Sequence, residues 1–555
     1  MNVPAALRLA CLVLLAALGC GDDDAPPPDS GTDSGADAAT SLPRDASLAD
    51  AGPDDGGTPP GEWELPEAQR VGGKLPIYPL HPRPDAETGA GAAHRHAHPS
   101  VPYRVPVGIQ GGEWPFRYEL VEGPDGMRFV AGELERRMND GRIEHLRTEG
   151  YGVLEWPSPR VGTHPVRVRV TDQAGESVEL TWSVDTNAGA FVFVDSQHGD
   201  DDATGTFDAP LRTFADGLWL RDDDDASFAG RIAVFREGTY AVEASEAFTS
   251  PVLDHTKKPS AYLAFPDEAV TFDLSRGHFR TGSRGGIDDL VVAGIDFVGS
   301  REDLGNARLF NITNRSERVT FWECSFDDTG VGTAGTDNPA CIAFMAAGPY
   351  HENLAVLGCE LRANAGAQLV VTFDSRHVLF EGNRAVDVAL AHSNGGTVLH
   401  AKDDTNDLTI RDNQLVGQVA SAAIAVSNQI SLGSAANQEI CWNTLIYDGD
   451  QNVDSAFIIN TQSTTPDAEN TYVYRNSVVS QRRAMTFRGA AEPIPPLVEG
   501  NAFFGAEGGL VGENRTTGPV PNVRLEESDF DAEGRLVGEA RSSHLGQAGA
   551  EVAAR

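Results

Sequence analysis

A repeat in the second half of the chain constrains its fold more than any other feature of the sequence. Short runs of β-forming residues each end at one aligned position, and the residues there are Ile295, Cys324, Cys359, Asn383, Asn413, Asn443, Asn476 and Asn501. Their spacings run from 24 to 35 residues. A period of this size with a persistent asparagine predicts the coils of a parallel β-solenoid, because stacked amide side chains bond to one another at a strand spacing of about 4.8 Å.

Two segments ahead of this column strengthen the prediction. FVFVDSQHGDDDATGTFDAPLRTFADGL (191–218) and IAVFREGTYAVE (232–243) resemble the opening turn of right-handed parallel β-helices of the pectate-lyase-like superfamily. With the column, the resemblance covers residues 191 to about 515, and it implies an all-β chain with a right-handed parallel β-helix over 188–520 and a C-terminal cap or tail over 521–555. Since the superfamily includes lyases, hydrolases, esterases, epimerases and non-enzymatic surface proteins, the resemblance implies a fold but no single reaction.

A smaller β domain is predicted before the solenoid, over 101–187. PVRVRVTDQAGESVELTWSVD (165–185) contains two runs of alternating apolar and polar residues around a turn, which predicts a hairpin. The longer run from Tyr151 to Val184 resembles the cadherin-like and immunoglobulin-like repeats of bacterial surface proteins. The resemblance implies a β-sandwich that acts as a spacer and names no ligand.

The start of the chain has the layout of an export signal over 1–19. Arg8 precedes an apolar run from Leu9 to Leu18, and Gly19-Cys20 follows. Ala17-Leu18-Gly19-Cys20 resembles a bacterial lipobox, which implies a lipid anchor on Cys20 and a place at the bacterial outer membrane or cell surface. The alternative is plain signal-peptidase cleavage, which leaves a soluble exported protein.

The segment after Cys20 is predicted to be a disordered linker over 20–100. Residues 21–60 contain ten Asp, seven Pro and one Arg and no aromatic residue, so they cannot bury enough apolar surface to offset the entropy of ordering. His94, His96 and His98 fall at the end of this linker, where chance clustering is favoured over metal binding.

The charge balance limits the classes of partner. With 43 Lys+Arg against 82 Asp+Glu the formal net charge is −39, which excludes a nucleic-acid groove, because such a groove needs surplus positive charge. A β-helix presents long parallel faces along which a polymer can lie, so the expected partner is a polysaccharide or surface glycan.

Candidate site residues lie on two consecutive coils, LVVTFDSRH (369–377) and TVLHAKDDTND (397–407). The candidate catalytic residues are Lys402, Arg376 and His400, and the candidate calcium ligands are Asp374, Asp403 and Asp404. Lys402 is the sole lysine after Pro259, and a lysine, unlike an arginine, can lose its proton and act as a base.

Three functions stay open at this stage. The coil with Lys402 resembles the catalytic lysine coil of β-helical polysaccharide lyases, which implies calcium-assisted β-elimination at a uronate, although the next coil (421–429) lacks the matching arginine. A glycoside hydrolase would use two carboxylates, Asp374 with Asp403 or Asp404. In the third alternative the solenoid is a non-catalytic adhesin or glycan-binding module, and Lys402 only pairs with Asp374 or Asp404 on the surface.

The cysteines of the column leave one structural question open. Cys324 and Cys359 are expected on neighbouring turns, where they form a disulfide or stack as reduced core residues.

Overall fold

The structure is a computed structural model, and all residues that it describes belong to one unit of the chain, Trp63–Arg555. The described ranges are 75–83, 92–130, 133–137, 143–147, 151–213, 228–243, 252–253, 260–276, 279–281, 287–299, 308–327, 340–345, 350–362, 368–390, 397–419, 422–428, 436–447, 455–461, 470–488, 496–512, 515–532, 534–544 and 548–550. The predicted signal peptide, the lipidation site Cys20 and the acidic segment 21–60 lie outside them.

Three long parallel sheets form the main body, which is a right-handed parallel β-helix as predicted. The first solenoid sheet has twelve strands. They are β11 Phe191–Val194, β12 Ile232–Phe235, β15 Ala261–Ala264, β18 Val291–Ala293, β21 Glu317–Trp322, β24 His351–Leu357, β27 Ser375–Glu381, β30 Asn406–Arg411, β33 Gln438–Cys441, β36 Thr471–Tyr474, β39 Leu497–Glu499 and β42 Thr516–Thr517.

The second solenoid sheet has eleven strands and the third has ten. The second contains β13 Gly238–Glu243, β16 Val270–Arg276, β19 Ile295–Val298, β22 Ser325–Asp327, β25 Glu360–Leu361, β28 Arg384–Leu390, β31 Gln414–Val419, β34 Thr444–Tyr447, β37 Ser477–Ser480, β40 Ala502–Gly505 and β43 Val523–Arg524. The third contains β14 Val252–Leu253, β17 Phe279–Thr281, β20 Arg308–Ile312, β23 Ala340–Met345, β26 Gln368–Phe373, β29 Thr397–Lys402, β32 Ala422–Asn428, β35 Ser455–Thr461, β38 Arg483–Arg488 and β41 Gly508–Val511.

The predicted column lies at the turn from the first to the second sheet. Each column residue stands directly before a strand of the second sheet, or begins it at Ile295, and follows a residue with positive φ. Glycine takes that left-handed conformation readily, as at Gly382, whereas Trp442 and Arg475 adopt it as exceptions. The tight turn therefore repeats with little dependence on which residue occupies its first position.

The asparagine ladder is confirmed and is one step longer than predicted. The Asn413 amide donates to Asn443 Oδ1 at 2.8 Å, and each asparagine from Asn383 to Asn501 makes the equivalent bond to the next. The last acceptor is Asn522, which the sequence comparison missed. Because each amide also donates to backbone carbonyl groups, the ladder satisfies buried polar groups of the turn.

None of the four cysteines within the described ranges forms a disulfide bond, and all four are buried. Cys324 and Cys359 are fully buried members of the solenoid core, and their thiols donate to the backbone carbonyl groups of Val292 and Leu357. Of the two alternatives left open above, the structure has the reduced, stacked pair.

Two four-stranded sheets precede the solenoid and form the predicted β-sandwich, with the orders β1-β3-β8-β5 and β2-β10-β9-β4. A separate pair, β6-β7, is antiparallel. The strands are β1 Tyr78–His81, β2 His96–Ala97, β3 Tyr103–Gln110, β4 Arg117–Glu122, β5 Arg128–Val130, β6 Glu133–Arg137, β7 Ile143–Arg147, β8 Gly152–Trp156, β9 Gly162–Thr171 and β10 Ser177–Thr186.

The folded part begins earlier than the predicted boundary at residue 101. Strand β1 pairs with β3, and β2 pairs with β10, although both lie in the segment assigned to the linker. Leu80 and Ala97 are buried in these strands. Single apolar residues between Gly, Pro and His residues are too few to show the alternation of a strand. The sequence pattern therefore did not predict β1 and β2.

The sandwich packs on the outer face of the first solenoid sheet, so it is not a spacer held apart from the solenoid. Leu357 and Leu379 point outward from that sheet into one apolar cluster with Tyr151 and Val153. Strands such as FVFV and IAVF are apolar on both faces, which is typical of parallel strands covered on both sides.

A fully buried ion pair lies at this contact. Arg411 and Glu381 are both 0% exposed and 3.0 Å apart, and Arg411 also donates to the carbonyl groups of Gly111 and Ile109 in the sandwich. Burial raises the pKa of Glu381, and the Arg411 charge opposes that shift. The guanidinium therefore links the two domains through groups that have no access to water.

Short helices complete the described elements. Single 3-10 turns span Ala93–Arg95, Ala188–Ala190 and Glu527–Asp529, and helix α1 spans Gly538–His544. Phe530 and Leu536 pack with Val479 and Ala502 over the last coils, within the predicted cap. Across the described ranges, no helix is long and apolar enough to cross a membrane.

Candidate functional site

The sequence-predicted site residues lie where the third solenoid sheet turns into the first. Asp374 alone links β26 to β27, and Asp403 begins the turn from β29 to β30. Both have positive φ, 44° and 49°, a conformation that aspartate tolerates better than most residues. The turn rotates Asp403 and Asp404 away from the strictly opposite directions expected of an extended strand.

Register brings three chemically useful residues into one column. His351 pairs with Ser375, and Arg376 pairs with Asn406. The residues that precede these pairs in the same register are Tyr350, Asp374 and Asp404. They therefore align on three consecutive turns, at a strand spacing of about 4.8 Å.

The surroundings of Asp374 shift the acidity of its carboxyl group. It is half-buried, and burial together with the charges of Asp403 and Asp404 raises its pKa to about 6. A hydrogen bond from the Asp404 backbone N–H opposes the shift in part. Near neutral pH this group therefore exchanges a proton readily.

Two hydrogen-bond donors hold the Asp404 carboxylate. Its Oδ2 accepts a hydrogen bond from the Tyr350 hydroxyl, and its Oδ1 accepts one from Asn406 Nδ2 at 2.8 Å. Burial and the bond to Asp404 in turn raise the pKa of Tyr350, so the phenol keeps its proton and stays a donor.

Arg376 is placed against Tyr350 and points to solvent. Its guanidinium carbon lies 3.8 Å from the centre of the Tyr350 ring, and the side chain is exposed. The neighbouring His377 stacks on Tyr78 of the sandwich with ring centres 4.1 Å apart. The sandwich therefore borders the site directly.

Lys402 and His400 lie on the outer face of β29, two residues apart. Lys402 Nζ lies 5.3 Å from the centre of the Phe373 ring, and His400 Nδ1 is 3.1 Å from Gln368 Oε1. Burial, assisted by the Lys402 charge, holds the pKa of His400 well below its usual range. His400 is therefore a neutral imidazole at neutral pH.

The register places neither Thr372 nor Asp374 beside Lys402. Thr372 pairs with Ala401, so the residue beside Lys402 on the preceding coil is Phe373 rather than Thr372 or Asp374. On the following coil Lys402 pairs with Ser427, so no arginine stands at that position.

Calcium at Asp374, Asp403 and Asp404 gains no support from the side-chain geometry. Throughout the described ranges, no group of three or more His, Cys, Asp or Glu side chains is arranged to hold a metal ion. The three carboxylates are near enough to interact electrostatically, and a calcium site among them stays a prediction.

Sequence reasoning missed Tyr350, Asn406, Phe373 and Gln368 as parts of this site. Tyr350 stands 24 residues before Asp374, within the range of repeat spacings, so extending the repeat to turn positions outside the asparagine column would have found it.

Comparisons with known proteins do not assign a family or a function to this chain. No family model and no curated protein matches the chain. The GH136 lacto-N-biosidase from Eubacterium ramulus is 11% identical with a TM-score of 0.33, over 61% of this chain and 68% of that one. The catalytic domain of a GH87 α-1,3-glucanase in complex with nigerose is 10% identical with a TM-score of 0.29, over 81% and 98% of the two chains. A GH87 α-1,3-glucanase from Streptomyces thermodiastaticus is 12% identical with a TM-score of 0.27, over 82% and 99%. These values are too low to support a conclusion about the reaction of this chain.

Proposed function

We propose that the chain is a carbohydrate-active protein that hydrolyses glycosidic bonds at the turn around Asp374. One observation carries the proposal: Asp374 and Asp404 stand in register on adjacent turns, and burial with neighbouring charges raises the pKa of Asp374 to about 6. Glycoside hydrolysis uses two carboxyl groups, one that donates a proton to the leaving oxygen and one that attacks the sugar or activates water.

The environments also assign the roles. Asp374, half-buried and beside two negative charges, is the acid that protonates the leaving glycosidic oxygen. Asp404, held by Tyr350 and Asn406, is the carboxylate that attacks the sugar or activates water. Asp403 acts through its charge, which helps Asp374 keep its proton.

The surroundings suit a sugar chain. The half-buried rings of Tyr350 and Phe373 flank the carboxyl groups, and aromatic rings supply contact area for the apolar faces of sugars. Arg376 and Lys402 add hydrogen-bond donors on the same coils. A polymer lying across successive coils would meet all of them.

The polysaccharide lyase is the second candidate, with Lys402 as the base. It is favoured by the position of Lys402 immediately before the acidic turn. The lyase requires neutralisation of a uronate carboxylate, and the partners in register with Lys402, Phe373 and Ser427, carry no charge. Hydrolysis is therefore the better supported reaction.

The test is to incubate the protein with neutral and uronate polysaccharides, with and without calcium. We expect new reducing ends without ultraviolet absorbance, lost in Asp374→Asn and Asp404→Asn and kept in Lys402→Ala. Asp125→Asn, which changes a sandwich aspartate that is 92% exposed, is the matched control and should keep full activity.

Other results would replace the proposal. Unsaturated, ultraviolet-absorbing product that disappears in Lys402→Ala identifies a lyase. Retention on a glycan array without any cleavage identifies a binding module or adhesin.

The cellular location is also a proposal. The export layout around Arg8 and Cys20 supports a lipid-anchored protein of the bacterial surface. Cys20→Ser should release the protein from the membrane fraction, and mass spectrometry of the mature N-terminus should show whether Cys20 carries lipid.

A further inference from the structure

A cleft between the sandwich and the first solenoid sheet collects four histidines, and the proposed reaction uses none of them. His81, His94, His96 and His98 all line it, from β1 and the segment around β2. His81 is 8% exposed, His94 5% and His98 6%. The histidines that looked like chance clustering in a linker therefore lie at the seam between two domains.

None of the three buried rings forms an ion pair with a carboxylate in the described part of the chain. His81 Nδ1 bonds only to the hydroxyl of Thr320, at 3.0 Å, and its ring centre lies 6.2 Å from that of His94. His94 Nε2 is buried without a hydrogen-bond partner among the described residues. His98 packs against three phenylalanine rings, Phe191, Phe193 and Phe207.

The charged groups around the seam act in both directions: they oppose protonation of His94, whereas Asp208 favours protonation of His98. Arg95 follows His94 directly, and its charge, with those of His81 and His96, opposes protonation of His94. Arg104 lines the same cleft and pairs with Glu323 at 3.5 Å. The other acidic groups at the cleft or facing its histidines are Asp208, which acts on His98, and Asp267 and Glu268, which line the wall formed by the solenoid.

We propose that this seam is an acid-sensitive joint, in which proton uptake by His81, His94 and His98 weakens the packing of the sandwich on the solenoid. A protonated ring at any of the three positions is a charge removed from water. Two protonated rings at His81 and His94 would also repel each other across 6.2 Å between their centres.

The direction of the pH effect follows from linkage. Burial lowers the pKa of His81 from 6.5 to about 4 and also lowers the pKa values of His94 and His98. The closed joint therefore binds fewer protons than the open one, so its stability is complete above about pH 6.5 and is lost as the pH falls toward 4. At pH 5, protonation of His81 alone makes the equilibrium constant for opening the joint about 30-fold larger than it is at high pH, where the ring is neutral in both states.

Hydrogen exchange of the whole protein, corrected for the intrinsic pH dependence, tests the joint. Protection of β1, β3 and the facing strands β21 and β24 should fall between pH 7.5 and 5 in the native sequence. The double variant His81→Gln/His94→Gln should lose most of that pH dependence, because glutamine does not titrate. His164→Gln is the control, since His164 is a partly buried residue of the sandwich that lies outside the cleft and contacts the Arg160 carbonyl group, and it should keep the native profile.

Protection that does not change with pH overturns the proposal, and so does a native pH profile in the double variant. If the double variant fails to fold, His98→Gln and direct titration of the imidazole carbon signals in the native protein decide instead. Imidazoles that titrate near 6.5 in the native protein contradict the joint. Titration of Asp374 cannot account for a loss of protection at low pH. Its raised pKa makes the fold less stable as pH rises, whereas the histidines make the joint less stable as pH falls.

Discussion

At the scale of single residues, the carboxyl group of Asp374 couples stability to pH. Its pKa in the folded protein is about 6, above the ordinary value of 3.8, so the fold loses stability as pH rises from about 4 through 6. Asp374→Asn removes the buried charge. We expect the variant to gain on the order of 1 kcal/mol at pH 7.5, discounted for partial exposure, and to gain nothing at pH 4, measured by urea unfolding at both values.

The same group should set the pH range of the reaction. An acid with a pKa of about 6 is protonated below that value, so kcat/KM should decline as pH rises above it. A gain in stability from Asp374→Asn that is equal at pH 4 and pH 7.5 would contradict the assigned charge state.

At the scale of elements, the asparagine ladder supports the turn between the first and second sheets. Asn443 accepts from Asn413 through two bonds and donates to Ile410 O, Cys441 O and Asn476 Oδ1. Asn443→Ala leaves several of these buried groups unpaired, at about 1–3 kcal/mol each before relaxation. We expect a loss of several kcal/mol in the free energy of unfolding, measured by urea denaturation.

The last rung provides the matched control for this variant. Asn522 is only partly buried, and its amide donates to Val498 O but to no further asparagine among the described residues. Asn522→Ala should therefore have a clearly smaller effect than Asn443→Ala. Equal losses would mean that the ladder is not the source of the stability.

At the scale of the whole molecule, the buried pair Glu381–Arg411 ties the sandwich to the solenoid. Glu381→Leu leaves the Arg411 charge buried without its carboxylate, which should cost about 3–5 kcal/mol in the free energy of unfolding. The double variant Glu381→Leu/Arg411→Met removes both charges and should lose less than the single variant. Urea unfolding of the three proteins measures both effects.

An exposed ion pair serves as the control that shows whether the loss comes from burial of the charge or from loss of a charge as such. Arg169 and Glu179 lie 2.7 Å apart on the outer face of the sandwich, so Arg169→Met should leave the unfolding midpoint unchanged within error. A double variant that is less stable than Glu381→Leu would show that the bonds from Arg411 to Ile109 and Gly111 outweigh the ion pair.

Spacing in the sequence is enough to predict the coils of the solenoid, because the residues that form one coil recur in the next. The asparagine bonds to its copy one turn away, and the tight turn before it needs only one residue with positive φ, so the β-helix, the column and the two coils that bear the candidate site were all predictable from spacing.

Contacts between distant segments follow from the folded arrangement and leave no pattern in the sequence. Arg411 donates to Gly111, which lies 300 residues earlier in the chain. The histidines around β2 contact the solenoid, and no repeat in the sequence predicts this contact. The lengths of the segments between coils vary, so the partners Phe373 of Lys402 and Tyr350 of Asp404 depended on a register that spacing does not specify. A sequence repeat predicts which coils are neighbours along the solenoid axis. The packing of the sandwich on the first solenoid sheet depends on the shape and charge of surfaces that exist only once both have folded.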